Sequence, residues 1–268
     1  MGMGRRGGLR KGLVVLVTGA ALLALPGRAG ATAGGGPAWP ALEQDALQAA
    51  QAAHQAGTVQ LVDSATAASS ESFTTTGGTA LSVSQETVVA EDSTGQFVMA
   101  MSLLGGKQLV VGLTDYNTRT VQTLVLAPSS AAIVDSHSGS ETAVAVGNSV
   151  RTAGHRQAHT SGCTAAAQPP TVIWSIFGLL IQGVTQVVCI GSHSFGILSS
   201  LYESVGGTST QIGNTGSATG SGLGLSATAF APCTLDPNWN PFQTAGLVWI
   251  DGVLQAGLAS AWTWLGCQ

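Results

Sequence analysis

The side chains able to do chemistry are few and poorly grouped. Ser192-His193-Ser194-Phe195-Gly196 sets a histidine between two serines. A nucleophilic serine on a sharp strand-to-helix turn needs glycine two places before it, and Ser192 stands there instead. No histidine follows His193, so the order serine, acid, histidine cannot be completed, and nothing resembles the nucleophile motifs of other orders. The segment is expected to be a helix break with a polar patch. His155, His159 and Cys163 are spaced four apart, which on a helix would turn all three one way, as a zinc site requires. Gly154 and Gly162 oppose a helix there, and a disulfide is the better use of Cys163. Asp135 and His137 are expected at the surface, together in a turn or on opposite faces of a strand. Glu91-Asp92 is the one adjacent acid pair, and Asp92-Ser93-Thr94-Gly95 reads as a turn in which the Asp side chain bonds its own backbone. Gly206-Gly207-Thr208 and Gly220-Ser221-Gly222 lack the lysine and spacing of a phosphate-binding loop. These residues assign no catalytic, cofactor-binding or metal role, and the chain is expected not to be an enzyme.

The four cysteines carry a firmer expectation. Cys163, Cys189, Cys233 and Cys267 show neither the close pairing of a zinc knuckle nor a redox C-x-x-C. An even count in an exported chain reads as two disulfides, with three pairings open, and each bridge contributes about 3–4 kcal/mol by loop entropy. Export is expected from residues 1–33. Arg5, Arg6, Arg10 and Lys11 precede an apolar run from Leu13 to Leu25, and Ala31-Thr32-Ala33 offers a cleavage site, which is the layout of a signal peptide. The run holds 13 residues and ends at Pro26, too short for the roughly 20 that span a bilayer. Gly4 to Arg10 resembles a twin-arginine export motif, with Gly8 where a large apolar residue is usual. The expected location is secreted and extracellular.

Beyond residue 33 the chain keeps Lys107, Arg119, Arg151 and Arg156 against 13 acids, a net of −9. Phosphate neutralisation and attraction to anionic lipid both rest on Lys and Arg, so nucleic acid is not an expected partner; a lipid membrane or an extracellular protein remains open. Between Gln157 and Gln268 the formally charged side chains are Glu203, Asp236 and Asp251.

The elements divide the chain into unlike halves. Residues 34–57 form an N-terminal helical segment, with Ala41 to Ala56 as a helix whose small-residue face is Leu42, Ala46, Ala49, Ala50 and Ala53, and with Glu43 and Asp45 in its first turn. Residues 58–152 alternate β-branched runs with turn signals such as Gly105-Gly106, which predicts an antiparallel meander. Its central strand is Gln96 to Leu104, apolar on both faces. Residues 153–170 read as a linker. In residues 171–268, Ile173, Phe177, Leu180, Val184, Val187, Phe195, Leu198 and Tyr202 recur at helical spacing, as do Leu247, Ile250, Leu254, Leu258 and Leu265. Gly206 to Ala229, rich in Gly, Ser and Thr, reads as loop or weak strand.

The expected fold class is thus α+β: a helix and antiparallel β meander, then a disulfide-bonded, charge-poor and mainly helical C-terminal module. In organisation alone this resembles exported bacteriocin precursors such as the halocins, whose cysteine-rich apolar peptide is C-terminal, although those peptides are shorter and richer in cysteine. That organisation implies a membrane-active or toxin-like protein. The alternative is an extracellular binding or structural module whose apolar stretches are buried core and whose surface uses Ser, Thr, Gly and Gln in place of charge.

Overall fold

Helix α1 (Trp39–His54) begins where the Ala38 carbonyl accepts from the Ala41 and Leu42 amides. Pro40 lies in this first turn, where a missing N–H costs nothing. The helix starts two residues earlier than expected, so Glu43 and Asp45 fall outside its first turn. Ala46, Ala49 and Ala50 are buried against Val88, Phe97, Met99, Met101 and Leu124, and their small side chains let the helix lie close on the sheet below.

That sheet is a six-stranded antiparallel meander in sequence order: β1 (Gln60–Thr74), β2 (Ala80–Asp92), β3 (Gly95–Leu104), β4 (Gln108–Asp115), β5 (Thr120–Leu126) and β6 (Ile133–Ser140). Gly105, Gly106 and Lys107 join β3 to β4; the two glycines have φ of 55° and 66°, the left-handed pair of a tight turn that the Lys107 amide closes by donating to the Leu104 carbonyl at 2.9 Å. From Phe97 to Leu104 every residue of β3 is buried, because one face meets α1 and the other meets a second sheet. The described residues are 38–54, 58–93, 95–128, 130–140, 143–146, 162–234 and 240–267 of a computed structural model.

The second sheet comprises β7 (Ala143–Val146), β8 (Cys163–Ala167), β9 (Thr171–Ser175), β10 (Gly178–Val205), β11 (Thr208–Pro232), β12 (Asn240–Ile250), β13 (Val253–Ala259) and β14 (Thr263–Leu265). All its pairings are antiparallel, and β10 is the hub, bonded to β8, β9, β11 and β12. The long β10–β11 hairpin breaks register between Val188 and His193 and folds over on itself there. A Cβ on Gly183 would lie 2.7 Å from Leu201 and Thr244, and one on Gly216 only 2.2 Å from the Thr228 carbonyl oxygen, so the two halves of the hairpin are in contact face to face. The stack therefore runs α1, meander, inner leaf (β8, β9 and residues 178–188 of β10 with their β11 partners) and outer leaf (residues 193–205 of β10 with their β11 partners, and β12 to β14), with Ile181, Leu201, Ala229 and Phe242 filling the space between the leaves.

The expected α+β class with a helical C-terminal module is corrected: among the described residues α1 is the one helix, and residues 163–265 are built of strands. The first half of β10 is buried on both faces from Leu180 to Val187, so it shows no alternation, and its apolar residues match a helical spacing by accident. The second supposed helix is cut by Asp251 and Gly252, whose φ of 52° and 77° make a tight β12–β13 turn. The Gly-, Ser- and Thr-rich segment is β11, where small side chains permit the close leaf-to-leaf contact at Gly213 and Gly216. Within the expected linker, Cys163–Ala167 is strand β8; residues 153–161 lie outside the described residues, as do 1–37.

The halves share a core. Phe73, Leu81, Val83 and Val110 of the meander pack with Ile173, Leu180 and Phe230, and the Phe73 and Phe230 rings stack at 5.8 Å. Among the described strands, β11 has β10 on one edge and no strand on the other. Side chains take that strand's place. Gln85 donates to the Thr228 carbonyl at 3.0 Å and accepts from the Thr228 amide at 2.9 Å, Thr87 accepts from the Ser226 amide, and Asn214 accepts from the Phe230 amide. From β1, Asp63 accepts from the Leu223 amide at 2.7 Å, and Glu71 accepts from the Ser217 amide.

Candidate functional site

The folding of the β10–β11 hairpin leaves a cleft of about 260 Å³ between the leaves, at the end where β12 and β14 meet. Ile181, Ile212, Ala231, Phe242 and Leu265 give it apolar walls, and Glu203, Thr234 and Asn240 bring polar atoms to it. Glu203 is paired with Phe242 on β12 in the ladder, and Asn240 Nδ2 donates to Glu203 Oε1 at 2.7 Å, which fixes the carboxylate at the rim. No Lys or Arg occurs after Arg156, so that half of the chain offers the carboxylate no ammonium or guanidinium partner. The Cys233–Cys267 disulfide, 34 residues apart, braces one wall. An apolar recess with a few convergent polar groups is the usual form of a small-ligand site.

The other polar cluster sits at the hairpin's fold. His193 Nδ1 lies 2.8 Å from Asp251 Oδ2, and Asp251 Oδ1 accepts from the Ser194 amide at 3.0 Å and from Ser194 Oγ at 3.2 Å. These bonds, led by the one from His193, hold the Asp251 carboxyl below the usual range. Serine and histidine both bond to the carboxylate and not to each other. A hydrolytic triad needs the imidazole between serine and acid, so this arrangement clasps the β12–β13 turn to the fold of β10. The expected helix break at 192–196 is corrected, since these residues belong to β10.

The cysteines pair as Cys163–Cys189 and Cys233–Cys267, with no free cysteine among the described residues. Two disulfides are compatible with an extracellular protein. Cys163 lies on strand β8, and His155 and His159 are outside the described residues. Asp135 and His137 lie on β6 and hydrogen-bond at 3.1 Å, because residues two apart on a strand share a face; the expected separation on a strand is corrected. Asp92 Oδ1 accepts from the Gly95 amide at 3.3 Å, the local bond read from the turn motif. Gly206 and Gly207 form the β10–β11 turn with φ of 57° and 83°.

Of the tryptophans, Trp174 and Trp264 are 60% and 62% exposed. Trp249, on the outward side of β12, lies across Gly196, where a Cβ would stand 3.7 Å from its ring. Trp264, Leu254 and Leu247 lie on strands of the outer leaf with it, and Trp262 lies in the link between β13 and β14. Sequence reasoning missed the Glu203–Asn240 rim and the role of Asp251. The Asp-Gly dipeptide between two apolar runs was the available signal for the latter, as it marks a hairpin. No protein family, curated protein or solved structure matches this chain.

Proposed function

We infer that the chain is an exported, non-catalytic binding module that takes a small, mainly apolar ligand carrying a positive charge or strong hydrogen-bond donor. The observation that carries this is the cleft itself: apolar walls around one carboxylate, Glu203, held by Asn240 in a half of the chain that has no Lys or Arg. A donor or cation placed there gains a charge-assisted bond in partly dry surroundings, which is worth more than the same bond in water. Two disulfides and the signal-peptide layout of residues 1–33 support an oxidising, extracellular setting. The bonding of Ser194 Oγ to Asp251, and not to an imidazole, supports the non-catalytic reading.

Calorimetry with phenethylamine and its neutral counterpart phenethyl alcohol tests it. The amine is expected to bind more tightly, Glu203→Gln to weaken the amine about tenfold while leaving the alcohol little changed, and Phe242→Ala to weaken both. Absence of binding by both compounds to the unaltered chain would sink the cleft as a site.

A second reading is contact with a neutral lipid surface through the outer leaf, favoured by the exposure there of Leu247, Val253, Leu254, Trp262 and Trp264. The described residues contain no helix long and apolar enough to cross a membrane. Dye release from neutral vesicles, undiminished by Glu203→Gln but lost in Trp262→Ser/Trp264→Ser, would favour this second reading over the first.

A further inference from the structure

The Cys163–Cys189 disulfide has a histidine beside it. Both sulfurs and an imidazole nitrogen of His193 lie within 4.8 Å of one another. On an uninterrupted strand His193 would stand about 13 Å along from Cys189, and it is the register break between Val188 and His193 that brings the ring back over the sulfurs. The cysteines are 4% and 3% exposed, whereas the imidazole reaches solvent with a quarter of its surface. Asp251 holds Nδ1 at 2.8 Å, which leaves Nε2 as the free nitrogen of the ring.

We propose that, when the Cys163–Cys189 disulfide is reduced, Cys163, Cys189 and His193 form a zinc-type divalent metal site, with Asp251 as the residue that positions the imidazole. The disulfide takes two electrons and two protons from a dithiol, which closes to its own disulfide; a divalent cation then displaces both thiol protons and binds the two thiolates and Nε2. Three protein ligands leave one tetrahedral position open for water or a further ligand.

Three features carry this. The ligand types are those zinc prefers, and bonds of about 2.0–2.3 Å put tetrahedral ligand atoms roughly 3.3–3.8 Å apart, a spacing that fits within the 4.8 Å already enclosing both sulfurs and an imidazole nitrogen. Reduction does not disperse the pair. Cys163 and Cys189 are opposite residues on β8 and β10, held by a ladder that runs on to Ala167 and Thr185 and by the bond from the Ile190 amide to the Gly162 carbonyl. Finally, a carboxylate on the far nitrogen of a metal-binding imidazole fixes its tautomer and raises its basicity, and Asp251 already stands there. The Cys233–Cys267 pair has no histidine among the described residues near it, so it is not expected to bind metal in this way.

The test is titration of the full exported chain with cobalt(II), before and after reduction by a phosphine, which offers no sulfur to the metal. The reduced chain should develop a sulfur-to-cobalt charge-transfer band and the visible bands of tetrahedral cobalt at one ion per chain, displaced by zinc; the oxidised chain should not. The bands should persist in Cys233→Ser/Cys267→Ser and vanish in Cys163→Ser/Cys189→Ser. His193→Gln should shift the visible bands, and Asp251→Asn should leave their shape unchanged while weakening affinity about tenfold or more. Bands that depend on Cys233 and Cys267, or that are indifferent to His193, would overturn the proposal. So would a reduced chain that keeps its β-sheet circular dichroism yet binds no cobalt, or one that loses that signal, since the site depends on the β8–β10 ladder outlasting the disulfide.

Discussion

Two carboxylates show how residue chemistry is set by position here. Glu71 is raised above its ordinary 4.5 by burial, and its bonds to Ser217 and Asn214 offset this only in part. The folded chain therefore holds a proton on Glu71 more tightly than the unfolded chain does. Its contribution to stability is fully present below the ordinary value and declines as pH rises through the folded one. Asp251 has the opposite sign: its folded value is depressed, so its contribution is present above the ordinary value and lost as pH falls. Denaturation midpoints between pH 4 and neutrality should thus show a fall from Glu71 that Glu71→Gln removes, while Asp251→Asn removes a loss on the acid side. Gly216 tests packing in the same way. Its φ is unexceptional, so the 2.2 Å approach to the Thr228 carbonyl is the whole reason for glycine there, and Gly216→Ala should cost about 1–3 kcal/mol in urea denaturation. The Asx turn at Asp92 was legible from four residues because its bond is local. The bonds of Glu71 span 143 and 146 positions, and no local pattern encodes them.

At the scale of elements, the unpaired edge of β11 is the informative feature. A strand edge left open inside a core would strand its amides and carbonyls, and here the meander supplies Gln85, Thr87, Asp63 and Glu71 as substitutes. Gln85 satisfies both groups of Thr228, so Gln85→Leu should leave a buried amide and a buried carbonyl without partners and cost about 2–4 kcal/mol; Thr87→Val, which removes the partner of both the Ser226 amide and the Ser226 hydroxyl, should cost about 1–3 kcal/mol. Thermal or urea denaturation of both variants measures this. Equal, small losses would show that β11 finds its partners elsewhere. The meander was legible because its turns and alternations are local, and β3 announced its central place by being apolar on both faces. That same property hid β10: a strand covered on both sides loses the alternation that distinguishes it from a buried helix. Asp251-Gly252 and Gly206-Gly207 were the turn signals that separate strands there, and the cleft rim follows from the pairing of those strands.

For the whole molecule, composition divides the chain into a charged half and a charge-poor half, while packing joins them. The described residues form one compact unit, and the cluster around Phe73, Leu104, Leu180 and Phe230 draws on both halves. The lack of Lys and Arg in the inner leaf follows from this stacking, since that leaf lies between the meander and the outer leaf and shows little surface on which a charge would be solvated. Residues 58–152 alone would expose Leu81, Val83, Val110 and Val125 and leave Gln85 and Thr87 without their backbone partners. Unfolding of the oxidised chain is therefore expected as a single cooperative transition, with tryptophan fluorescence, which reports mainly on the second sheet, coinciding with far-ultraviolet circular dichroism. Reduction of both disulfides should lower the midpoint without separating the two signals, and the isolated fragment 58–152 should aggregate or bind a hydrophobic dye. Two resolved transitions, or a monomeric fragment with native-like dichroism, would show that the halves fold as independent domains and that the shared core contributes little.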